Sequence, residues 1–236
     1  MEVFLQELIG ELKPDSIASM IDHTLLKPDA DYRQLEKYVE DVRKYKFHLL
    51  MIPLSLVERV REIAGNTIRL GVVVGFPLGN TSTKAKVAEA IEAAELKVAE
   101  IDMVMNINLF KSGRYDEVLK DIVEVTRAFK SAGGGVVKVI IETGLLSDDE
   151  KKKAVEIIHQ AGADYVKTCT GFLGSVATPH DVYLLKVSSR GRLKVKAAGG
   201  IRRGMDALVL VAAGADRIGT SSGDKIVEDI MRLKGG

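Results

Sequence analysis

The chain has 236 residues, a formal net charge of +1, 46% hydrophobic and 28% charged residues, and one cysteine. This balance argues against a nucleic-acid or membrane-surface partner, and one cysteine precludes an internal disulfide and fits a reducing cytoplasm. The acidic N-terminus, with Glu2, Glu7 and Glu11, lacks the basic start and apolar centre of a secretory signal, and no stretch approaches the roughly 18 to 20 apolar residues of a membrane span.

In chain order, residues 3–12 carry Phe4, Leu5, Leu8, Ile9 and Leu12 at helical spacing, which predicts a short extra N-terminal helix closing the floor of the fold. Short β-branched runs then alternate with longer amphipathic segments. The runs predict strands at 18–22, 47–52, 70–75, 100–105, 136–142, 165–168, 193–197 and 217–219. The segments between them predict helices at 31–44, 55–64, 81–98, 115–132, 148–161, 179–188, 205–213 and 223–233. Ser147 with Glu150 forms a capping box, Thr178-Pro179 reads as an N-cap followed by a first-turn proline, and Gly162 and Gly214 mark helix exits. Eight strands each followed by a helix predict an α/β fold, a TIM (β/α)8 barrel in which residues 1–236 form a single domain. An open doubly wound sheet is the rival topology. Three glutamines and four asparagines beside abundant Lys and Glu suggest a heat-adapted source.

In such a barrel the chemistry lies at the C-terminal ends of the strands and in the loops that follow. The polar residues interrupting apolar runs are therefore the candidates: Asp22 and Thr24, Asp102, Lys138 and Glu142, Lys167, and Lys194 with Lys196. Residues two apart share a face, so Lys194 and Lys196 point the same way. Lys138, Lys167 and Lys196 on adjacent strands call for a task, because buried charge is costly. A structural salt-bridge network is the alternative. The functional reading is covalent amine catalysis. A neighbouring cation and a dry site favour the neutral, nucleophilic amine, and a carboxylate such as Asp102 moves protons. Gly199 and Gly200 after the seventh strand, and Gly219, Ser221 and Ser222 after the eighth, match the usual phosphate cradle of these barrels. His23, His48, His159 and His180 show no metal-ligand spacing, and Cys169 has no paired histidine.

Several segments also resemble motifs of one enzyme family. They are Ile21-Asp22-His23-Thr24-Leu25-Leu26-Lys27-Pro28, Val74-Gly75-Phe76-Pro77-Leu78-Gly79, Glu100-Ile101-Asp102-Met103-Val104 and Lys138-Val139-Ile140-Ile141-Glu142-Thr143. The stretches 162–172, 196–202 and 217–222 complete the set. Together they resemble deoxyribose-phosphate aldolase, from about Asp15 to Gly223. The resemblance implies a class I lyase that cleaves 2-deoxy-D-ribose 5-phosphate to D-glyceraldehyde 3-phosphate and acetaldehyde, with no metal or organic cofactor. It implies Lys167 as the Schiff-base residue, Asp102 as acid/base acting through a water, and Lys196 as the group that lowers the Lys167 pKa. Asp22, Thr24, Lys138 and Thr170 would serve proton relay and hydroxyl recognition, and Gly171, Gly199, Gly200, Gly219, Ser221 and Ser222 would bind phosphate. Small aldehydes and sugar phosphates are then the partners, with a homodimer or homotetramer as the assembly. Leu50 stands where many members carry cysteine, and Leu173-Gly174-Ser175-Val176 is less glycine-rich than usual in the family. Another barrel enzyme on phosphorylated substrates, such as a different Schiff-base aldolase or a transaldolase, and a catalytically dead binding barrel are the competing functions. Trapping with acetaldehyde against dihydroxyacetone phosphate separates the first, and intact Lys167, Asp102 and Lys196 argue against the second.

Overall fold

The computed structural model describes residues 14–235. The predicted 3–12 helix lies outside them. Eight parallel strands close in sequence order, β1 pairing with both β2 and β8. They are β1 (Ile21–Thr24), β2 (Leu49–Ile52), β3 (Leu70–Val74), β4 (Glu100–Val104), β5 (Val136–Ile140), β6 (Tyr165–Lys167), β7 (Lys194–Ala198) and β8 (Arg217–Thr220). The helices are α1 (Pro14–Ala18), α2 (Tyr32–Tyr45), α3 (Val57–Ala64), α4 (Thr83–Glu95), α5 (Ile107–Lys111), α6 (Tyr115–Ser131), α7 (Asp148–Gln160), α8 (Pro179–Ser189), α9 (Gly204–Ala212) and α10 (Gly223–Gly235). The fold is the TIM barrel that the alternation predicts. None of the described helices is long and apolar enough to cross a membrane.

The boundaries differ from the sequence expectation where local chemistry overrides an apolar run. Residues 18–20 are not strand. Pro14 suits the first turn of a helix, and Ile17 and Ala18 bury themselves from α1, so β1 begins at Ile21. The helix expected from residue 55 opens as a 3-10 turn at Leu54–Leu56. The helix expected over 81–98 starts later, because Ser82 rather than Thr81 caps it, and it ends at Glu95. The fifth strand stops at Ile140, since Glu142 turns left-handed at φ 51°. The short α5 was missed by periodicity and is capped by Asn106. The capping box of Ser147 and Glu150 forms as expected, and Thr178 caps α8 ahead of Pro179.

The outward strand faces and inward helix faces make one continuous apolar core, from Ile21, Leu50, Val72, Ile101, Val139, Val166, Val195 and Ile218 to residues such as Leu35, Phe129 and Ile230. Inside the barrel, Leu49, Met51 and Val73 form a separate apolar cluster on β2 and β3, joined by Leu26 and Phe76. The inward face of β4 to β8 carries charged residues instead, interspersed with Val104, Ile140 and Ala198.

Among the described residues, the most deeply buried ion pair outside the barrel joins two of the outer helices. Lys86 of α4 is fully inaccessible, and its Nζ donates to Asp121 Oδ2 of α6 at 2.7 Å and to the Val104 carbonyl at 3.0 Å. Thr83 Oγ1 donates to the other carboxylate oxygen at 2.7 Å. Lys86 thereby ties two helices to the end of β4. Removing one member of such a pair strands its partner, at a cost of about 3–5 kcal/mol. Lys86→Met is expected to lower the unfolding free energy by that amount in urea titration, with Lys86→Met/Asp121→Leu recovering at least half. An unchanged single variant would count against this role.

Candidate active site

Strand register brings the candidate residues together. Asp102 on β4 sits opposite Lys138 on β5, and Lys167 on β6 sits opposite Lys196 on β7. Asp102 Oδ2 accepts from Lys167 Nζ at 2.8 Å and from Lys196 Nζ at 2.7 Å, and its Oδ1 accepts from Lys138 Nζ at 2.9 Å. Asp22 of β1 completes the ring: its Oδ2 accepts from Lys196 at 2.5 Å, and Lys138 Nζ lies 3.7 Å away. Asp22, Asp102, Lys138 and Lys196 are fully buried, and Lys167 is 3% exposed.

Two residues of this network were not singled out from the sequence as site candidates. Glu100 lies 2.6 Å from Lys138 Nζ. Arg217 Nη1 donates to Asp22 Oδ1 at 2.7 Å, and its Nη2 lies 3.7 Å from Glu100 Oε1. Both are strand-opening residues, where charge usually meets solvent. Only the closed sheet reveals that they face inward. Lys194 shows the reverse. It shares the Lys196 face but stands exposed at the floor rim, 5.7 Å from the Tyr165 ring, outside the site.

These contacts set the protonation states. Burial disfavours the Asp102 anion, but the charges of Lys138, Lys167 and Lys196 outweigh it and hold the carboxyl well below its usual range. Asp22 is likewise lowered, burial being overcome by Lys196, Lys138 and Arg217. For Lys167, burial disfavours the ammonium most strongly. Asp102 opposes that, while Lys196 and Lys138 add to it, and the result is a pKa down to about 8. Lys138 is pushed the other way, because Asp102, Asp22 and Glu100 together outweigh its burial.

Above the network opens a cavity of about 290 Å³. Lys167, Thr24, Thr170, Gly171, Gly199, Gly200, Gly219 and Ser221 all line it. Ser222 does not, although its amide donates to Thr220 Oγ1 at 2.9 Å beside the cavity. Lys27 and Arg202 also line it, two cations that the motif reading passed over. Gly199 and Gly200 have φ of 106° and 75°, a region that side-chain-bearing residues avoid. Gly219 has a second role: a Cβ there would stand 2.9 Å from Lys196 Cε, so glycine clears the path of that lysine. Cys169 is buried beside Thr143, and burial pushes its thiol up, consistent with the expectation that it is no nucleophile. His23 packs on Tyr38 and Phe47, and His48 bonds Glu100 at 2.9 Å. On the outer helices His180 gathers with Asp148 and Asp181, a cluster that sequence spacing concealed, and Lys151 bridges its two carboxylates.

A parallel barrel with a buried amine of lowered pKa at its mouth, beside a glycine-rich wall, is an arrangement suited to covalent amine chemistry on a small carbonyl substrate. The model of the DeoC/LacD family aldolase matches residues 16–228, and the chain belongs to that family. A deoxyribose-phosphate aldolase of Caldanaerobacter subterraneus subsp. tengcongensis is 50% identical over 215 residues, covering 91% of this chain and 93% of the relative. One from Carboxydothermus hydrogenoformans is 46% identical over 217 residues, covering 91% and 95%. The solved deoxyribose phosphate aldolase from Aeropyrum pernix, described as a unique tetramer, superposes with a TM-score of 0.90 at 34% identity over 97% of each chain. The chain is an aldolase.

The geometry makes the Lys196 charge a lever on Lys167. Lys196→Met leaves Asp22 with Arg217 and Asp102 with Lys138, so the fold retains partners for both carboxylates. The Lys167 titration is then expected to move upward from about 8, as read from the pH dependence of its reductive methylation. A midpoint that stays at 8 or falls would refute the coupling.

Proposed function

We propose that this aldolase reversibly cleaves 2-deoxy-D-ribose 5-phosphate to D-glyceraldehyde 3-phosphate and acetaldehyde, through a Schiff base on Lys167. The observation carrying the reading is one buried amine, its pKa down to about 8, hydrogen-bonded to a carboxylate that also binds a second lysine. At pH 7 a free lysine is almost wholly protonated, whereas a pKa near 8 leaves about a tenth as free amine.

In this mechanism the neutral Lys167 Nζ attacks the aldehyde carbon of the open-chain sugar. The carbinolamine loses water to become an iminium ion. A base removes the proton of the C3 hydroxyl, the C2–C3 bond breaks, and its electron pair moves to the iminium nitrogen. Glyceraldehyde 3-phosphate departs and an enamine remains. Protonation of the enamine carbon and hydrolysis release acetaldehyde and free Lys167. Asp102 relays protons with a water, and its lowered pKa suits a group that passes a proton on rather than retaining it. Lys196 holds the Lys167 pKa down, and Asp22 and Lys138 hold Asp102 and Lys196 in place. Thr24 and Thr170 line the cavity where the sugar hydroxyls would sit. The backbone at Gly171, Gly199, Gly200 and Gly219, with Ser221 and Ser222, receives the phosphate, and Lys27 and Arg202 add charge to that side. The substrate assignment is supported by the printed names of the relatives.

We extend the proposal to a single-domain cytoplasmic enzyme of deoxyribonucleotide sugar catabolism that forms a homodimer or homotetramer and comes from a heat-adapted source. The tetramer named for the Aeropyrum pernix relative supports self-association, as do Tyr183 and Val187, which lie exposed one turn apart on α8.

Borohydride reduction with acetaldehyde is expected to add a stable ethyl group to Lys167, located by mass spectrometry, and Lys167→Leu to lose both adduct and turnover. The amine is the reactive form, so kcat/KM should rise with pH through an ascending limb near 8. Wild-type protein that forms no adduct, or forms one only with dihydroxyacetone phosphate, would refute the assignment. A separate check addresses the anion site. Ser221→Asp places like charge beside the phosphate, so the KM for 2-deoxyribose 5-phosphate should rise by about tenfold or more. Acetaldehyde self-condensation should stay within about twofold of wild type. Equal losses in both would place the phosphate elsewhere.

A further inference from the structure

Glu142 belongs neither to the ion-pair network nor to the cavity wall, yet it is fully buried where the fifth strand leaves the sheet. Its backbone is left-handed, at φ 51° and ψ 69°. That conformation is unfavourable for a residue with a side chain. Its Oε2 accepts the Thr170 backbone N–H at 2.9 Å, and its Oε1 has no hydrogen-bond partner among the described residues. A strained backbone and a half-satisfied buried carboxylate both oppose folding. Such features persist where the surrounding structure enforces them, and they concentrate at functional sites.

The local ladder shows what the carboxylate does. Register pairing of β5 with β6 ends at Ile140 opposite Lys167. Past it, the Ile141 N–H donates to the Lys167 carbonyl at 3.0 Å and the Thr143 N–H to the Thr168 carbonyl at 3.1 Å. By Thr170 the fifth strand has turned away, and the Glu142 side chain supplies the acceptor that the backbone no longer offers. Thr170 Oγ1 in turn accepts the Phe172 N–H at 3.2 Å. Thr170 and Gly171 both line the cavity, as does Gly199 after the neighbouring β7, and a Cβ at Gly171 would stand 3.8 Å from Gly199 Cα.

We infer that Glu142 is a positioning residue for the aldolase: through the Thr170 amide it sets the Thr170-Gly171 wall relative to Lys167, and with it the seat of the hydroxyl- and phosphate-bearing half of the substrate. The inference rests on the function proposed above. Glu142 makes no hydrogen bond or ion pair to Lys167, Asp102 or Lys196 among the described residues, so the amine chemistry itself does not pass through it. The bond to Thr170 requires an acceptor oxygen at that place and does not require its charge.

Three variants separate these requirements. Glu142→Gln keeps an acceptor of the same reach. Glu142→Gly removes the acceptor while relieving the left-handed backbone, and Glu142→Asn tolerates that backbone but is too short to reach. The glycine and asparagine variants are expected to raise the KM for 2-deoxyribose 5-phosphate by about tenfold, a loss typical of misplaced binding groups. Their borohydride-trapped acetaldehyde adduct on Lys167 should form at the wild-type rate, with an unchanged pH midpoint. Glu142→Gln should restore KM to within about threefold of wild type. Wild-type KM in the glycine and asparagine variants, or a glutamine variant as impaired as they are, overturns the inference. A glycine variant whose loss is matched by a fall in thermal midpoint also overturns it, because that loss is one of folding. Absence of the adduct in wild-type protein instead overturns the functional reading, and this inference with it.

Discussion

Among the described residues, four buried basic side chains, Lys138, Lys167, Lys196 and Arg217, meet three buried carboxylates, Asp22, Glu100 and Asp102, inside the barrel, while the more exposed Arg69 and His48 reach Glu100 from the rim. Salt screens buried charges only weakly, and an uncompensated buried ion costs several kcal/mol. Among the buried groups alone, the charges balance when one base is unprotonated, and the contacts decide which. Lys138 lies within 4 Å of all three carboxylates, and Lys196 and Arg217 each touch two. Lys167 touches only Asp102. The amine with the least compensation gives up its proton most readily, so charge parity and nucleophilicity have the same origin.

The barrel makes that arrangement possible. A parallel sheet alternates its faces at period two, so a lysine every second strand residue points inward, while Val139, Val166 and Val195 beside them pack outward on the helices. Closure then brings β8 against β1, and Arg217 reaches an aspartate 195 residues away in sequence. The opposite side of the interior, Leu49, Met51 and Val73, is apolar and contributes no competing donor. Low polarity there strengthens each interaction of the charged half.

This logic also explains what could be read from the sequence. Lys138, Lys167 and Lys196 stood out because each interrupts an apolar run at the inward phase. The barrel and most helices were legible from the same periodicities. Glu100 and Arg217 were not, because a charge at the start of a strand looks solvated until closure places it under the neighbouring lysines. Lys194 carried the same pattern as Lys196 and proved to be a rim residue. Lys86 sits in a helix rich in Ala, Glu and Lys, where one more lysine looks like a solvent face, and its partner Asp121 lies 35 residues on. The α5 helix is too short to show a period, and its signal was only the Asn106 cap. Glu142 was visible as a polar residue ending the predicted fifth strand. Its left-handed backbone, and the amide it would hold, depended on where the strand turned.

Charge parity bears on the later steps of the proposed cycle as well as the first. The iminium ion formed from Lys167 carries a positive charge that cannot be discarded as a proton while the nitrogen stays doubly bonded to carbon. The buried groups of the barrel then again number four positive against three carboxylates, with Asp102, 2.8 Å from the unmodified Lys167 Nζ, as the nearest compensation. Breaking the C2–C3 bond sends an electron pair to that nitrogen and yields a neutral enamine, which restores the balance. The network that frees the amine for attack therefore also favours the electron flow of cleavage, and in the synthetic direction it is met again when the enamine gives up its electrons to an incoming aldehyde. Asp102 bears the whole swing, since it alone contacts both Lys167 and the lysine that holds the charge next to it.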